Sequence, residues 1–327
     1  MADAWLNQVI EDVIEPALPI VDPHHHLWPP GGGMPYGLDD LHADVGDGHH
    51  VIATVFVECG AAYRASGEPR FAPVGETEFV AREAERDDPP LIRGIVASAD
   101  LRDDALDDVL DAHEIAAGGR FRGIRHALSR ATEPGALTIP GGAPEGLSTD
   151  PAFRRGVRRL GARGLTYDSW HYHYQNDEFL DLARATPGTT MVLDHFGTPL
   201  GAGSFAGRRD EIFESWRADI EALAACPNVV AKVGGLAMPD NGFGFHTAER
   251  PPTSTEFLDA QRRYYEHTIE CFGADRCMFE SNFPVDRASL SYRTFWNACK
   301  QLTAGMSASE RHALFVGTAA QVYRLDV

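Results

Sequence analysis

Short apolar runs alternate with longer segments of helical period along most of the chain. Runs of this kind, rich in β-branched and aromatic residues, are typical of strands buried in a parallel sheet. Eight of them occur, in the order IVDPHHHLW, IATVFVECG, LIRGIVASAD, FRGIRHALS, GLTYDSWHY, TMVLDHFG, VVAKVGGLA and RCMFESNFP. Because a strand followed by a helix recurs, the pattern predicts an α/β fold, a (β/α)8 barrel.

Two of the intervening segments show the helical period most clearly. In LRDDALDDVLDAHEIAAGG, four apolar residues recur with aspartates between them: Leu101, Leu106, Val109 and Leu110. DEIFESWRADIEALAACPN repeats the pattern and stops at Pro227. Since barrels of this length often form one domain, we expect a single domain over residues 1–327, with strand one near 20–28 and strand eight near 277–284.

Three predicted strands are followed by connections too long for a minimal link. They read PPGGGMPYGLDDLHADVGDGHH, RATEPGALTIPGGAPEGLSTD and GGLAMPDNGFGFHTAERPP. All three would lie at the carboxyl end of the barrel, where barrel enzymes hold their active sites. Surface insertions without a role are the alternative. If the loops are functional, we expect them to determine substrate specificity.

Charge and cysteine usage narrow the classes of partner. The formal net charge of −19 repels nucleic acid and anionic membrane surfaces, so neither is expected as a partner. The five cysteines lack Cys-x-x-Cys spacing, which argues against a disulfide framework or a structural zinc site and favours a reducing cytoplasm. The first residues lack a basic region and no apolar run reaches about 18 residues, so neither a signal peptide nor a membrane span is expected. A homo-oligomer is one open alternative, because pattern alone cannot separate exposed apolar faces from core.

The first predicted strand carries a His-x-His pair. Alternation along a strand sends His24 and His26 to one side and His25 to the other. Two imidazoles would then share the barrel interior. They can bind a metal ion or substrate, or they can simply satisfy hydrogen bonds in the core, and the paired spacing at the end of a first strand favours the functional role.

Further polar residues fall at the carboxyl ends of later strands. His195 ends strand six, Arg125 ends strand four and strand seven carries Lys232. Barrel interiors are ordinarily filled by branched aliphatic side chains, so cations and imidazoles converging on one mouth indicate a site. Arg125 is a candidate for two-point binding of a substrate carboxylate, and a structural salt bridge is its alternative. Lys232 has the same two interpretations.

The motifs DPHHHLW, GIR, YDSWHYHYQ, LDHFG and MFESNFPVD, in this order, resemble the amidohydrolase superfamily. Within it the chain is similar to the branch of barrel hydrolases that includes sugar-acid lactonases and the lactonase for 2-pyrone-4,6-dicarboxylate. The resemblance runs from about residue 20 to the end, and the ordered set is far more specific than any single motif.

The resemblance implies a hydrolytic site built from His24, His26, His195 and an aspartate of strand eight. It also implies either one divalent ion, Zn²⁺ or Mn²⁺, held by these three histidines, or a metal-free site. Arg125 matches the position expected to bind an acidic substrate. The strand-five motif adds further candidates for substrate binding: Tyr167, Asp168, His173 and Gln175.

Strand eight departs from the family pattern. Where much of the family has Gly-Ser-Asp-Trp-Pro, this chain reads Glu-Ser-Asn-Phe-Pro, so Asn282 replaces the expected aspartate. An amide is not basic near neutral pH and is a weaker metal ligand than a carboxylate. Glu280, on the same strand face, and Asp286, after Pro284, are the candidates to replace it. The alternative is that Glu280 only forms a structural pair with a basic neighbour and that the site has changed its function.

Together these features predict a hydrolase that opens a lactone or similar ester in a small carboxylated substrate. Arg125 would anchor the carboxylate, the three histidines would polarise the carbonyl, and Glu280 or Asp286 would activate water. Two alternatives stay open. One is a non-oxidative decarboxylase on the same barrel, and the other is a binding protein that has lost catalysis, as Asn282 suggests.

Overall fold

Eight parallel strands form one sheet in their order along the chain. A computed structural model describes residues 2–327, with side chains from residue 4 onward. The strands are β1 Pro19–His25, β2 His50–Val57, β3 Ile92–Ala97, β4 Phe121–Arg125, β5 Thr166–Ser169, β6 Met191–Leu193, β7 Val229–Gly234 and β8 Cys277–Glu280. The predicted (β/α)8 barrel is therefore confirmed, although several strands are shorter than the apolar runs that predicted them.

Helices connect the strands and cover the barrel. They are α1 Ala2–Leu6, α2 Leu38–Val45, α3 Val74–Ala84, α4 Leu106–Ala117, α5 Pro151–Ala162, α6 Asn176–Ala185, α7 Arg209–Ala224, α8 Ser254–Phe272, α9 Tyr292–Leu302, α10 Ala308–His312 and α11 Thr318–Val322. The two segments with the clearest helical period form α4 and α7, whose buried residues are mostly apolar. Among the described residues, no helix is long and apolar enough to cross a bilayer.

The first and last strands meet around one buried carboxylate, Asp22. The backbone joins them where Asn282 donates to the carbonyl of His24 at 3.0 Å. Asp22 accepts hydrogen bonds from the Ser281 hydroxyl at 2.6 Å and the Tyr292 hydroxyl at 3.0 Å. Burial raises the pKa of Asp22 to about 6 despite these donors. This network fixes the register at which β1 and β8 present their polar residues to the barrel mouth.

Candidate active site

The three histidines of β1 and its end point in alternate directions, as the strand period predicts. His24 and His26 lie on the same side, with 3.3 Å between their Nε2 atoms. His25 points to the other side, where its Nε2 lies 2.9 Å from the Thr54 hydroxyl. The His26 Nδ1 lies 2.8 Å from the carbonyl of Val57. Because a carbonyl only accepts, His26 carries its proton on Nδ1 and turns Nε2 toward His24 as an acceptor.

Glu280 connects the strand-one and strand-six histidines. Its Oε1 accepts hydrogen bonds from the Nδ1 of His195 at 2.7 Å and from the His195 backbone N–H at 3.2 Å. Its Oε2 lies 2.7 Å from the Nδ1 of His24. Glu280 is fully buried and lies beneath the cavity described below. With its Nδ1 turned toward Glu280, His195 has its Nε2 left to face the cavity.

The buried ammonium of Lys232 contacts His24 and two further carboxylates. Lys232 lies 3.0 Å from an oxygen of Asp168, 3.1 Å from one of Asp194 and 3.2 Å from the Nδ1 of His24. Burial acts to lower the pKa of Lys232, but these two carboxylates outweigh it and raise the pKa. Burial, and then Lys232, hold the pKa of His24 well below its usual range, so this imidazole is neutral.

The pKa values of Asp168 and Asp194 shift in opposite directions, although both carboxylates face Lys232. Asp168 also accepts from the Tyr323 hydroxyl at 2.5 Å and the Thr166 hydroxyl at 2.7 Å, and burial raises its pKa. Burial acts to raise the pKa of Asp194 too, but Lys232, His195 and Arg125 lower it overall. We call the buried group the polar floor, and its members are His24, Asp168, Asp194, His195, Lys232 and Glu280.

Arg125 reaches the cavity already paired with carboxylates of the chain. Its Nε donates to Glu58 Oε1 at 2.7 Å, and an Nη donates to the Glu58 carbonyl. The other Nη lies 3.5 Å from Asp194 and 3.4 Å from the Nε2 of His24. Burial acts to lower the pKa of Arg125, but Glu58 and Asp194 raise it overall. Glu58 thus occupies one edge of the guanidinium, as the alternative of a structural salt bridge predicts, and the two-point grip on a substrate carboxylate stays a prediction.

Two site residues adopt backbone angles that side chains rarely tolerate. The φ angle is +53° at His195 and +54° at Asn282, each just beyond the end of its strand. Gly235, at φ +74°, lies against the His195 ring, and a Cβ there would sit 2.2 Å from Nδ1. The close approach therefore needs a glycine at this position for His195 to keep its contact with Glu280.

The candidates beyond β8 form a pair of their own. The Asn282 amide donates to Asp286 at 2.8 Å, and the backbone N–H of Ala237 donates to the other oxygen of Asp286 at 3.0 Å. Burial raises the pKa of Asp286 to about 7. Asn282 borders the cavity, whereas Asp286 is buried behind it. Of the two carboxylates proposed to replace the expected aspartate, Glu280 is therefore the one in contact with the histidines.

Three of the strand-five candidates lie away from the cavity. Tyr167 faces the helices, where its hydroxyl donates to the carbonyl of His126 at 2.8 Å and its ring contacts Phe153. His173 accepts from the backbone N–H of Leu200 at 3.2 Å. Gln175 donates to the carbonyl of Leu128 at 2.7 Å and accepts from the N–H of Arg130. His173 and Gln175 therefore hold loops at the mouth, and neither they nor Tyr167 border the cavity.

A cavity of about 460 Å³ opens above the polar floor. Its polar lining comes from six side chains: His26, Glu58, Cys59, Arg125, His195 and Asn282. Its larger apolar lining, which we call the apolar wall, consists of Trp28, Met34, Ile139, Trp170, Met238 and Val285. Each of the three long connections supplies one of these side chains, namely Met34, Ile139 and Met238. The expectation that these loops lie at the site is confirmed in this respect.

The chemistry of the donors under the cavity fits a divalent cation. His24, His195 and Glu280 each offer a ligand atom, and these atoms lie within 4.8 Å of one another. If His24 donates from Nε2 to His26, its Nδ1 is an acceptor to which Lys232 Nζ, 3.2 Å away, can donate. Glu280 Oε2 lies 2.7 Å from that nitrogen and accepts no hydrogen bond, so this oxygen is the atom that a cation or an extra proton would satisfy. His26 meets the opposite nitrogen of His24, so this set differs from the three histidines expected.

Asp194, Glu58 and the two tryptophans of the wall were not among the candidates derived from the sequence. Asp194 directly precedes His195, and Glu58 directly follows β2, so the position of each at a strand end was a usable signal. Trp28 and Trp170 lie in the loops that follow β1 and β5. Aromatic residues there are equally typical of packing, and only the cavity distinguishes the two roles.

Comparisons with known proteins support the fold and identify the family. The sequence profile of the family described as amidohydrolase matches residues 21–325. An uncharacterized protein of Sinorhizobium fredii is 36% identical over 94% of this chain and 98% of its own length. An L-fucono-1,5-lactonase of Burkholderia multivorans is 31% identical over 64% of each chain. A crystal structure of an amidohydrolase from Burkholderia multivorans with bound HEPES superposes with a TM-score of 0.72 at 26% identity, covering 94% of this chain and 100% of the other.

Proposed function

Since this chain belongs to the amidohydrolase family, we propose that it hydrolyses a lactone or similar cyclic ester in a small molecule. The observation that supports this most directly is the Glu280–His195 pair beneath a cavity of about 460 Å³. A buried carboxylate that orients an imidazole, whose second nitrogen faces a cavity, is a common way to build a general base. Lactonase names among the relatives agree with the reaction class.

In this proposal His195 is the base and Glu280 positions it. The Nε2 of His195 takes a proton from water as the water oxygen bonds to the carbonyl carbon of the ester. Glu280, which accepts from Nδ1, stabilises the imidazolium that forms. The ring C–O bond then breaks, and the proton on Nε2 passes to the leaving oxygen. The hydroxy acid ionises near neutral pH, so one proton is released per ring opened.

Arg125 is assigned to the carbonyl oxygen. Arg125 borders the cavity, and Glu58 accepts from its Nε and from one Nη. The other Nη, which lies 3.5 Å from Asp194, is assigned to hold the negative charge that develops on the carbonyl oxygen. Asp194 and Glu58 compensate the charge of Arg125 in the resting site, so a substrate carboxylate is not required to balance it.

A divalent ion would be held by His24, His195 and Glu280. When bound, such an ion would act as a Lewis acid and would lower the pKa of a bound water. A second crystal form of the Burkholderia multivorans amidohydrolase contains zinc, which supports testing that metal first.

A proton-release assay tests the proposal. The purified protein, with its metal content measured by elemental analysis, is supplied with a panel of lactones in a pH-stat. We expect one proton per ring opened, and loss of turnover in His195→Ala with its thermal unfolding still cooperative. Release of CO2 from a carboxylated aromatic, with no lactone opened, would instead assign the site to a decarboxylase.

A further inference from the structure

The lining of the cavity carries almost no uncompensated charge. Arg125 is its one cationic side chain among the described residues, and Glu58, which lines the same cavity, lies 2.7 Å from it. Below, Lys232 is balanced by Asp168 and Asp194. A carboxylated substrate would meet a guanidinium whose charge is already neutralised, and would lose its hydration in doing so.

The apolar wall is held in place by the loops that carry it. The Asp240 carboxylate accepts from the backbone N–H groups of Thr138 at 2.7 Å and Ile139 at 3.1 Å. It thereby joins the loop of Ile139 to the loop of Met238, and its charge is used within the loops rather than presented to the cavity. The hydroxyl of Tyr172 adds a second fastening, because it accepts from the N–H of Gly141 at 2.7 Å. Ile139 and Met238 are therefore fixed before a ligand enters.

The wall offers few polar groups to a sugar; the buried indole Nε1 of Trp170, which has no hydrogen-bond partner among the described residues, is one donor. A polyhydroxylated ring requires a hydrogen-bond partner for most of its hydroxyls once it is buried. The three long loops contribute Met34, Ile139 and Met238 to the cavity, and two tryptophans lie beside them. Such surfaces, built mostly from apolar side chains and aromatic rings, favour an apolar or aromatic ring face.

We propose that the substrate is an uncharged lactone whose ring, apart from the ester, presents an apolar or aromatic face. This inference rests on the proposed function and narrows its substrate class. The ester carbonyl lies toward Arg125 and His195, and the apolar part of the ring lies against the apolar wall. A sugar-acid lactone or a dicarboxylate would leave hydroxyls or charge against this wall.

Matched lactones test the substrate class. 3,4-Dihydrocoumarin is compared with its ring-carboxylated analogue and with a polyhydroxylated 1,5-lactone, by proton release and by quenching of tryptophan fluorescence. We expect kcat/KM for dihydrocoumarin to exceed both others by about tenfold or more, equivalent to about 1.4 kcal/mol. A preference for the carboxylated or the hydroxylated lactone would overturn the inference and leave the hydrolase intact.

Binding separates this inference from the proposed function. If no lactone is opened, the hydrolase proposal fails, and the fluorescence measurement alone tests the ligand class. Tighter binding of dihydrocoumarin than of the other two lactones supports the inferred ligand class. Tighter binding of either other lactone, or no binding, overturns it.

Glu58→Gln sharpens the test, because this variant leaves the charge of Arg125 less compensated. In this variant the preference against the carboxylated lactone should shrink several-fold, and Glu78→Gln, which breaks a surface ion pair with Arg64 away from the cavity, should leave it unchanged. An unaltered preference in Glu58→Gln would contradict the electrostatic part of the argument.

Discussion

The polar floor and the apolar wall face each other across one cavity and are built in opposite ways. The floor residues lie on or directly after strands, and all six are at most 2% exposed, in contact with one another. All six wall residues lie in loops, and contacts such as that of Asp240 with the N–H of Ile139 join two of these loops. The floor therefore fixes the chemistry through the sheet, and the wall can change from one relative to another without disturbing it.

Removing the ammonium of the floor should have the largest effect on stability. Lys232→Met leaves Asp168 and Asp194 buried without their cation, and we expect a loss of about 3–5 kcal/mol in the free energy of unfolding. Urea unfolding measures it. The matched control is Arg208→Met, which breaks an exposed pair with Glu211 and should leave the free energy of unfolding nearly unchanged. Equal losses would show that the floor is not a buried charge network.

Stability should depend on pH through Asp286. Its pKa is about 7 in the folded chain and 3.8 ordinarily, because burial penalises the carboxylate. The folded state therefore binds the proton more tightly than the unfolded state does. Protonation of Asp286 contributes on the order of 4 kcal/mol to the free energy of unfolding; this contribution is complete below pH 3.8 and is lost as the pH rises to about 7. Asp286→Asn should flatten unfolding free energy against pH over this window. An unchanged slope would remove Asp286 as its source.

Gly235→Ala probes the junction between floor and cavity. The added Cβ would sit 2.2 Å from the Nδ1 of His195, so we expect the ring to move from Glu280 and kcat to fall about tenfold or more. Gly207→Ala is the control, because Gly207 has the same φ of +74° but nothing within 4 Å of the added Cβ. A similar loss of activity in both variants would attribute the effect to backbone strain alone.

The smallest effect should come from a single residue of the wall. Met34→Ala removes apolar area from a half-buried loop residue, so KM should rise about fivefold, equivalent to ~1 kcal/mol, with kcat nearly unchanged. Met34→Leu conserves volume and should differ little. A fall in kcat with constant KM would place Met34 in the chemistry rather than in the wall.

The sequence predicts the floor better than the wall because strands have a fixed period. Alternation places His24 and His26 together, and the same rule excludes Tyr167. The sheet pairs Arg125 with Asp168 and Ile124 with Tyr167, so Tyr167 shares the outward face of Ile124. No comparable rule applies to loops. His173 follows a strand as Trp170 does, yet only Trp170 borders the cavity, because contacts distant in sequence set the path of each loop.

Pairing between distant residues was the other unpredictable element. The sequence identifies Arg125 as a cation at a strand end, but its partner Glu58 lies 67 residues away. Without that partner, Arg125 indicates an acidic substrate; with it, the same guanidinium is compensated. Likewise Glu280 could be a base or a structural partner until its contacts with His24 and His195 are known.

The pH profile of lactone opening in Glu280→Gln tests most directly whether Glu280 positions His195 as the base. The amide keeps the shape but cannot stabilise a protonated His195, so kcat should fall roughly 10²-fold or more and the acid limb of kcat/KM should move to lower pH. Asn282→Ala should cost far less, since Asn282 contacts Asp286 rather than the histidines. Full activity with an unshifted profile in Glu280→Gln would contradict the account, and a larger loss in Asn282→Ala would move the essential group to the loop after β8.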